Sequence, residues 1–142
     1  GYHVGTVWPH DNSIIALGLR RYGYKKEAAQ IALGMLEAAR FFEGRLPEAF
    51  AGYPRNLTGF PVEYPTACSP QAWATGTPLL LLRTMLGLEP EGDRLVVDPA
   101  VPKTLGHLQL SGLSGRWGRT DVSATGSVDV PESIDHLERL MI

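Results

Sequence analysis

A chain of 142 residues, 44% of them hydrophobic, carries enough apolar material for one globular core. Its formal net charge is −2 and no basic run exceeds Arg20-Arg21 or Lys25-Lys26, so neither nucleic acid nor an anionic membrane surface is an expected partner. The one cysteine, Cys68, excludes an internal disulfide framework and a multi-cysteine zinc site, and points to a reducing, cytoplasmic compartment.

The opening residues carry no charged-then-apolar pattern, so no leader is expected, and the apolar run at 78–82 is too short to cross a bilayer. The start without Met, in motif-dense sequence, leads to the expectation that residue 1 is not the first residue of the natural polypeptide. The opening stretch "GTVWPHDN" leads into an apolar run, with Asp11 or Asn12 able to cap a helix over 13–22 and Gly23 suited to the left-handed residue that ends it. Ala28, Ile31, Ala32, Met35, Leu36, Ala39 and Phe42 recur at three-and-four spacing and predict an amphipathic helix over 25–42. The short link makes these two an antiparallel hairpin.

Next comes "GRLPEAFAGYPRNLTGFPVEYPTAC", aperiodic and well beyond the ~12–15 residues after which a loop is usually functional or disordered. Its aromatics, Phe50, Tyr53, Phe60 and Tyr64, argue against disorder. Ser69-Pro70 reads as the N-cap and first-turn proline of a third helix that carries Trp73 and the leucines at 79–82 until Gly87, with Pro78 bending it. Short β-branched or alternating runs follow, predicting strands at 94–97 and 107–111, room for one more in "GRWGRTDVSATGSV", and a short terminal helix in "PESIDHLERLMI". The chain thus divides into a helical part, 1–90, and a small β tail, 91–142. If the three helices pack side by side, the first and third start at the same end. The Trp8 and Glu48 loops would then share one face beside positive helix ends.

"GTVWPHDNSIIALGLRRYG", "RLPEAFAG" and "YPTACSPQAWATGTPLLLLRTMLGL", in this order, resemble the carboxy-terminal part of amylo-alpha-1,6-glucosidase and glycogen-debranching-like glycoside hydrolases. The likeness covers about residues 2–88 and continues loosely through "LVVDPAVPKTLGHLQLSGL". It implies a mainly α fold, the last helices of an incomplete (α/α)6 toroid followed by a short β tail, and an inverting hydrolase of α-glucans or α-glucosides. By this resemblance Glu48, in Leu46-Pro47-Glu48, is the general base. Trp8, His10 and Asp11 are sugar-pocket residues, and Tyr64, Ser69, Gln71 and Trp73 lie where a pocket wall is expected. The hairpin that would carry the general acid has no counterpart in this sequence. Trehalose-like disaccharides and glucosyl or mannosyl glycerates are the runner-up substrates.

The residue chemistry suits that task. An inverting glycosidase needs a protonated carboxyl at the leaving oxygen and a carboxylate holding a water, about 6.5–9.5 Å apart. Aromatic rings cover the C–H face of a pyranose, while Asp, Asn and His meet its hydroxyls. No cofactor is implied, and scattered histidines without a paired spacing imply no metal. Each signal has a plainer reading: Glu48 as a solvated loop residue, Asp11 as a helix cap, His10 as a surface histidine, Trp73 as core, and Cys68 as a small buried packing residue. Asn56-Leu57-Thr58 fits the glycosylation acceptor pattern, which is common by chance. Two functions stay open: a hydrolase piece supplying the base and part of the pocket, or a catalytically incomplete module that binds carbohydrate at most. Helices cut from a toroid would leave flanks unburied, so the expected partner besides sugar is a second copy or a missing upstream polypeptide.

Overall fold

The computed structural model describes residues 1–131. The expected terminal helix falls almost wholly outside them.

Helix α1 (Pro9–Arg21) begins four residues earlier than predicted. Trp8 is extended and Pro9 takes the first helical position, where its missing N–H costs nothing. Neither Asp11 nor Asn12 is the cap, because both lie inside the first turns: Asn12 Nδ2 donates back to Trp8 O at 2.9 Å, and Ser13 Oγ to His10 O at 2.7 Å. Those side chains face carbonyls rather than the unpaired N–H groups a cap would satisfy. Gly23, with φ of 90°, makes the predicted left-handed turn into α2 (Lys25–Ala39). A 3-10 turn, Arg40–Phe42, completes the amphipathic run, and Ala28, Ala32, Met35 and Ala38 are buried.

The Pro- and Gly-rich stretch is more structured than its aperiodicity suggests. Strand β1 (Thr6–Val7), β2 (Phe50–Ala51) and β3 (Val62–Glu63) form an antiparallel sheet in that order, with Val7 opposite Phe50 and Phe50 opposite Glu63. Between β2 and β3 the one-turn helix α3 (Arg55–Thr58) is tied to α2 by the Arg55–Glu37 ion pair at 2.7 Å.

Helix α4 (Ala72–Leu86) starts after, not at, Ser69-Pro70. Ahead of it Cys68 O accepts from Glu48 N at 2.9 Å, and Gln71, itself extended, is the cap, its side chain accepting from Ala72 N. The helix runs on through Pro78 to Gly87, whose φ of 65° lets its N–H return to Thr84 O.

Beyond Gly87, among the described residues, lie two hairpins. Strand β4 (Leu88–Glu91), unpredicted because Pro90 sits in it, pairs with β5 (Arg94–Val97), which was predicted. Strand β6 (His107–Gly115) outruns the predicted 107–111 and pairs with β7 (Gly118–Thr125), the strand left room for after Arg116. A bulge at Ser111-Gly112 interrupts the ladder, and Asp121 Oδ1 accepts from Gly112 N there at 2.7 Å.

One apolar cluster unites these parts: Ala16, Ala32, Met35, Leu81 and Leu86 from the helices, Leu46 and Phe50 from the sheet segment, and Val101, Val122 and Ala124 from the β-rich half. Helix α1 packs against both α2 and α4, and α2 also meets α4. Ionic links run from the helices to the β4–β5 hairpin and the residue after it, Arg21 and Arg83 to Glu89 in β4 and Arg20 and Lys25 to Asp98 just past β5.

The expectation of a mainly α chain forming the last helices of a toroid is overturned. Among the described residues helix takes 40% and strand 25%, with four helices and three small antiparallel sheets, a mixed α/β architecture. The physical reason lies in two-residue strands too short to show a period, and in a tail that forms one long hairpin, β6–β7, and one short one, β4–β5, with Leu88, Val122 and Ala124 joining the helical core. No helix among the described residues is long and apolar enough to cross a membrane.

Candidate functional site

The small sheet gathers the site. Because β2 runs antiparallel to both neighbours, the ends of β1 and β3 lie beside the start of β2. Trp8 follows β1, Tyr64 follows β3 and Glu48 precedes β2, so one edge of the sheet presents all three. The β1–β2 pairing continues through Gly52 N to Gly5 O at 2.8 Å. A Cβ on Gly52 would come within 2.7 Å of that oxygen, so the close approach needs glycine.

Glu48 is only 7% exposed, against the plain expectation of a solvated loop residue. Its Oε2 accepts from Cys68 N at 3.1 Å and its Oε1 from Gln71 Nε2 at 3.2 Å. The Tyr2 hydroxyl beside the carboxylate is the strongest influence holding its pKa below the ordinary carboxylate value; the Cys68 N–H adds to it, and burial opposes. The same contact pushes the Tyr2 phenol up to about 12, with burial adding to the effect. Glu48 is therefore an anion at neutral pH, surrounded by neutral donors, and the groups that act most on it include no second carboxylate.

Aromatic rings extend outward from it. Tyr2 meets Trp8 edge-on at 4.9 Å and Tyr64 at 5.5 Å between centroids, and His3 stacks on Trp8 at 5.2 Å. Trp8 meets Trp73 edge-on at 5.9 Å, and His10 stacks on Trp73 at 4.9 Å with 11° between planes. These geometries lie within the favourable range for aromatic pairs. Trp8 is further fixed by its Nε1 donating to Thr6 Oγ1 at 2.9 Å, while that hydroxyl donates to Tyr2 O at 2.7 Å. Trp73 and His10 stand in the first turns of α4 and α1, so those two helices do begin at the same end, as the geometric argument required.

Of the residues singled out from the sequence, Glu48, Gln71, Tyr64, Trp8, His10 and Trp73 are linked into one continuous arrangement. Trp73 remains 46% exposed and is not a core residue. Asp11 is not drawn in: it is exposed on the first turn of α1 and, among the described residues, its side chain makes no hydrogen bond or ion pair. Ser69 is likewise exposed. Cys68, expected to be buried, is exposed, and it enters the site through its backbone. Sequence reasoning misses Tyr2 and His3; the signal available is two further aromatic rings directly ahead of the quoted stretch.

Chemically, the arrangement offers a fixed anion able to accept from a water or a hydroxyl, beside a wall of rings suited to an apolar face. No group of three His, Cys, Asp or Glu among the described residues is arranged to hold a metal ion. No protein-family model matches this chain, and no curated protein matches it significantly.

Proposed function

We propose that this chain supplies the general base and one wall of the sugar pocket of an inverting glycoside hydrolase that acts on an α-glucan or a small α-glucoside, in the manner of debranching enzymes. The observation that carries the reading is Glu48, a carboxylate 7% exposed, held by Cys68 N and Gln71 at the foot of the Tyr2, Trp8, Trp73 and His10 rings. In the reaction a water attacks the anomeric carbon as Glu48 accepts its proton. A separate carboxylic acid protonates the departing glycosidic oxygen, and the product carries the inverted configuration. The donors around Glu48 keep it ionised and fix its orientation. Trp73 and Trp8 present rings for the pyranose face, and His10 and Tyr64 border them. The acid must come from outside the groups surrounding Glu48.

The test is Glu48→Gln in the intact natural polypeptide, assayed for release of reducing ends from maltooligosaccharides. The amide oxygen still accepts from Cys68 N while the charge is lost. Turnover should fall by about 10²–10⁴-fold, the usual worth of a general base, with saccharide affinity nearly unchanged. Unaltered turnover removes Glu48 from this role.

A second reading, carbohydrate binding without hydrolysis, draws on the same surroundings: no carboxylate stands among the groups that act most on Glu48, and its lowered pKa weakens it as a base. Binding of maltooligosaccharides by the natural polypeptide with no turnover in either the parent or the variant would favour it.

A further inference from the structure

A groove of about 660 Å³ lies away from Glu48, between β5 and the β6–β7 hairpin. That volume falls within the roughly 300–1,000 Å³ of small-molecule sites. Trp117, in the hairpin turn, and Leu95 give it apolar surface, while Asp93, Arg94, Asp121 and Ser123 give it polar groups. The indole of Trp117 rests on Gly115: a Cβ there would run into ring atoms Cε2, Cζ2 and Cη2. Gly115 does not have a left-handed backbone, so glycine is needed at this position for room and not for conformation. The plate is thus seated by the residue that ends β6. The indole N–H is shut from solvent and has no acceptor among the described residues.

We propose that this groove is a second saccharide-binding site, stacking a sugar ring on Trp117 and taking its hydroxyls on Asp93, Arg94 and Ser123. Two carboxylates against a single guanidinium disfavour phosphate-bearing polyanions. A neutral, hydroxyl-rich ligand suits a ring bordered by both acceptors and a forked donor. The choice of an α-glucan as the ligand rests on the reading of Glu48; the groove and its chemistry do not.

The experiment is a titration of the intact ¹⁵N-labelled chain with maltoheptaose, following the three tryptophan indole N–H signals. Trp8 and Trp73 report on the Glu48 wall and Trp117 on the groove. The expected result is a saturable shift of Trp117, with affinity for that site at least tenfold weaker in Gly115→Ala, which keeps the indole but displaces it. Trp8 and Trp73 should respond in Gly115→Ala as they do in the parent. Trp117→Ala should remove the groove's binding event alone; should that variant not fold, the parent shift and Gly115→Ala decide. A shift at Trp117 with Trp8 and Trp73 silent upholds the groove and tells against the Glu48 reading. Shifts at Trp8 and Trp73 only, or a Trp117 shift indifferent to Gly115→Ala, overturn the groove. No shift at any tryptophan overturns both.

Discussion

Replacing Gly87 by alanine tests the account of how the helices meet the β-rich half. Gly87 ends α4 with φ of 65°, where an L-residue costs about 1–2 kcal/mol. A Cβ there would also strike the Arg20 guanidinium and the Asp98 carbonyl, which are themselves hydrogen-bonded. The Arg20 side chain is 7% exposed, so displacing it strips a largely buried cation of its partners, worth about 1–3 kcal/mol. Together these give about 3 kcal/mol, or a fall in Tm of roughly 10 °C for a domain of this size. Gly92, with φ of 61° and no atom within 4 Å of the place a Cβ would take, is the control: Gly92→Ala bears the backbone cost alone. Urea unfolding of the two variants isolates the crowding term, expected to be about 2 kcal/mol. Midpoints that place them within about 0.5 kcal/mol of each other would refute the proposed wedge between Arg20 and Asp98.

Leu81→Ala removes a side chain with no exposed surface from the centre of the shared core, and chemical denaturation should show a loss of about 3 kcal/mol. Tyr2 holds its proton more tightly when folded, up to about 12, against 10.0 for a free tyrosine. Its contribution is complete below about 10 and disappears as pH rises towards about 12, so Tyr2→Phe should flatten the alkaline limb of a Tm-versus-pH curve. At the acid end Glu48, Glu89 and Asp98 all have lowered pKa values, held down chiefly by Tyr2, Arg21 and Lys25 respectively. Their stabilisation is present above the free values of 4.5 and 3.8 and is lost as pH falls below them. Asp98→Asn should narrow the gap between urea midpoints at pH 7 and pH 3, and an unchanged gap would remove Asp98 from this account.

The helical half can be read from its periodicity, because α2 repeats its apolar residues over four turns and Gly23 and Gly87 mark ends that need a left-handed residue. The start of α1 is harder to place, because Asp11 and Asn12 are good caps in isolation whereas Pro9 fixes an earlier start. The β1–β2–β3 sheet is invisible for a different reason: each strand has two residues, and only the folded chain brings them together. That sheet is also why Glu48 is buried, which no local pattern around Leu46-Pro47 reveals. Trp8, Trp73 and Glu48 can be suspected from residue type and helix order, but Tyr2, which most affects the carboxylate, has no periodic or motif signal of its own.

Glu48 clasps Cys68 twice, its amide giving to the Cys68 carbonyl and its carboxylate receiving the Cys68 N–H. The excursion between these residues is thereby a loop closed at its neck by the residue assigned the chemistry. For protein engineering this separates the outer part of the loop from the carboxylate at its neck. The exposed turn around Asn56 and Leu57 can be lengthened or exchanged at a closure cost of about 0.6 kcal/mol per doubling, with the neck anchoring the carboxylate throughout. Libraries confined to that turn, which joins the ends of β2 and β3 remote from Glu48, would vary the tip of the loop while the geometry at Glu48 stays constant.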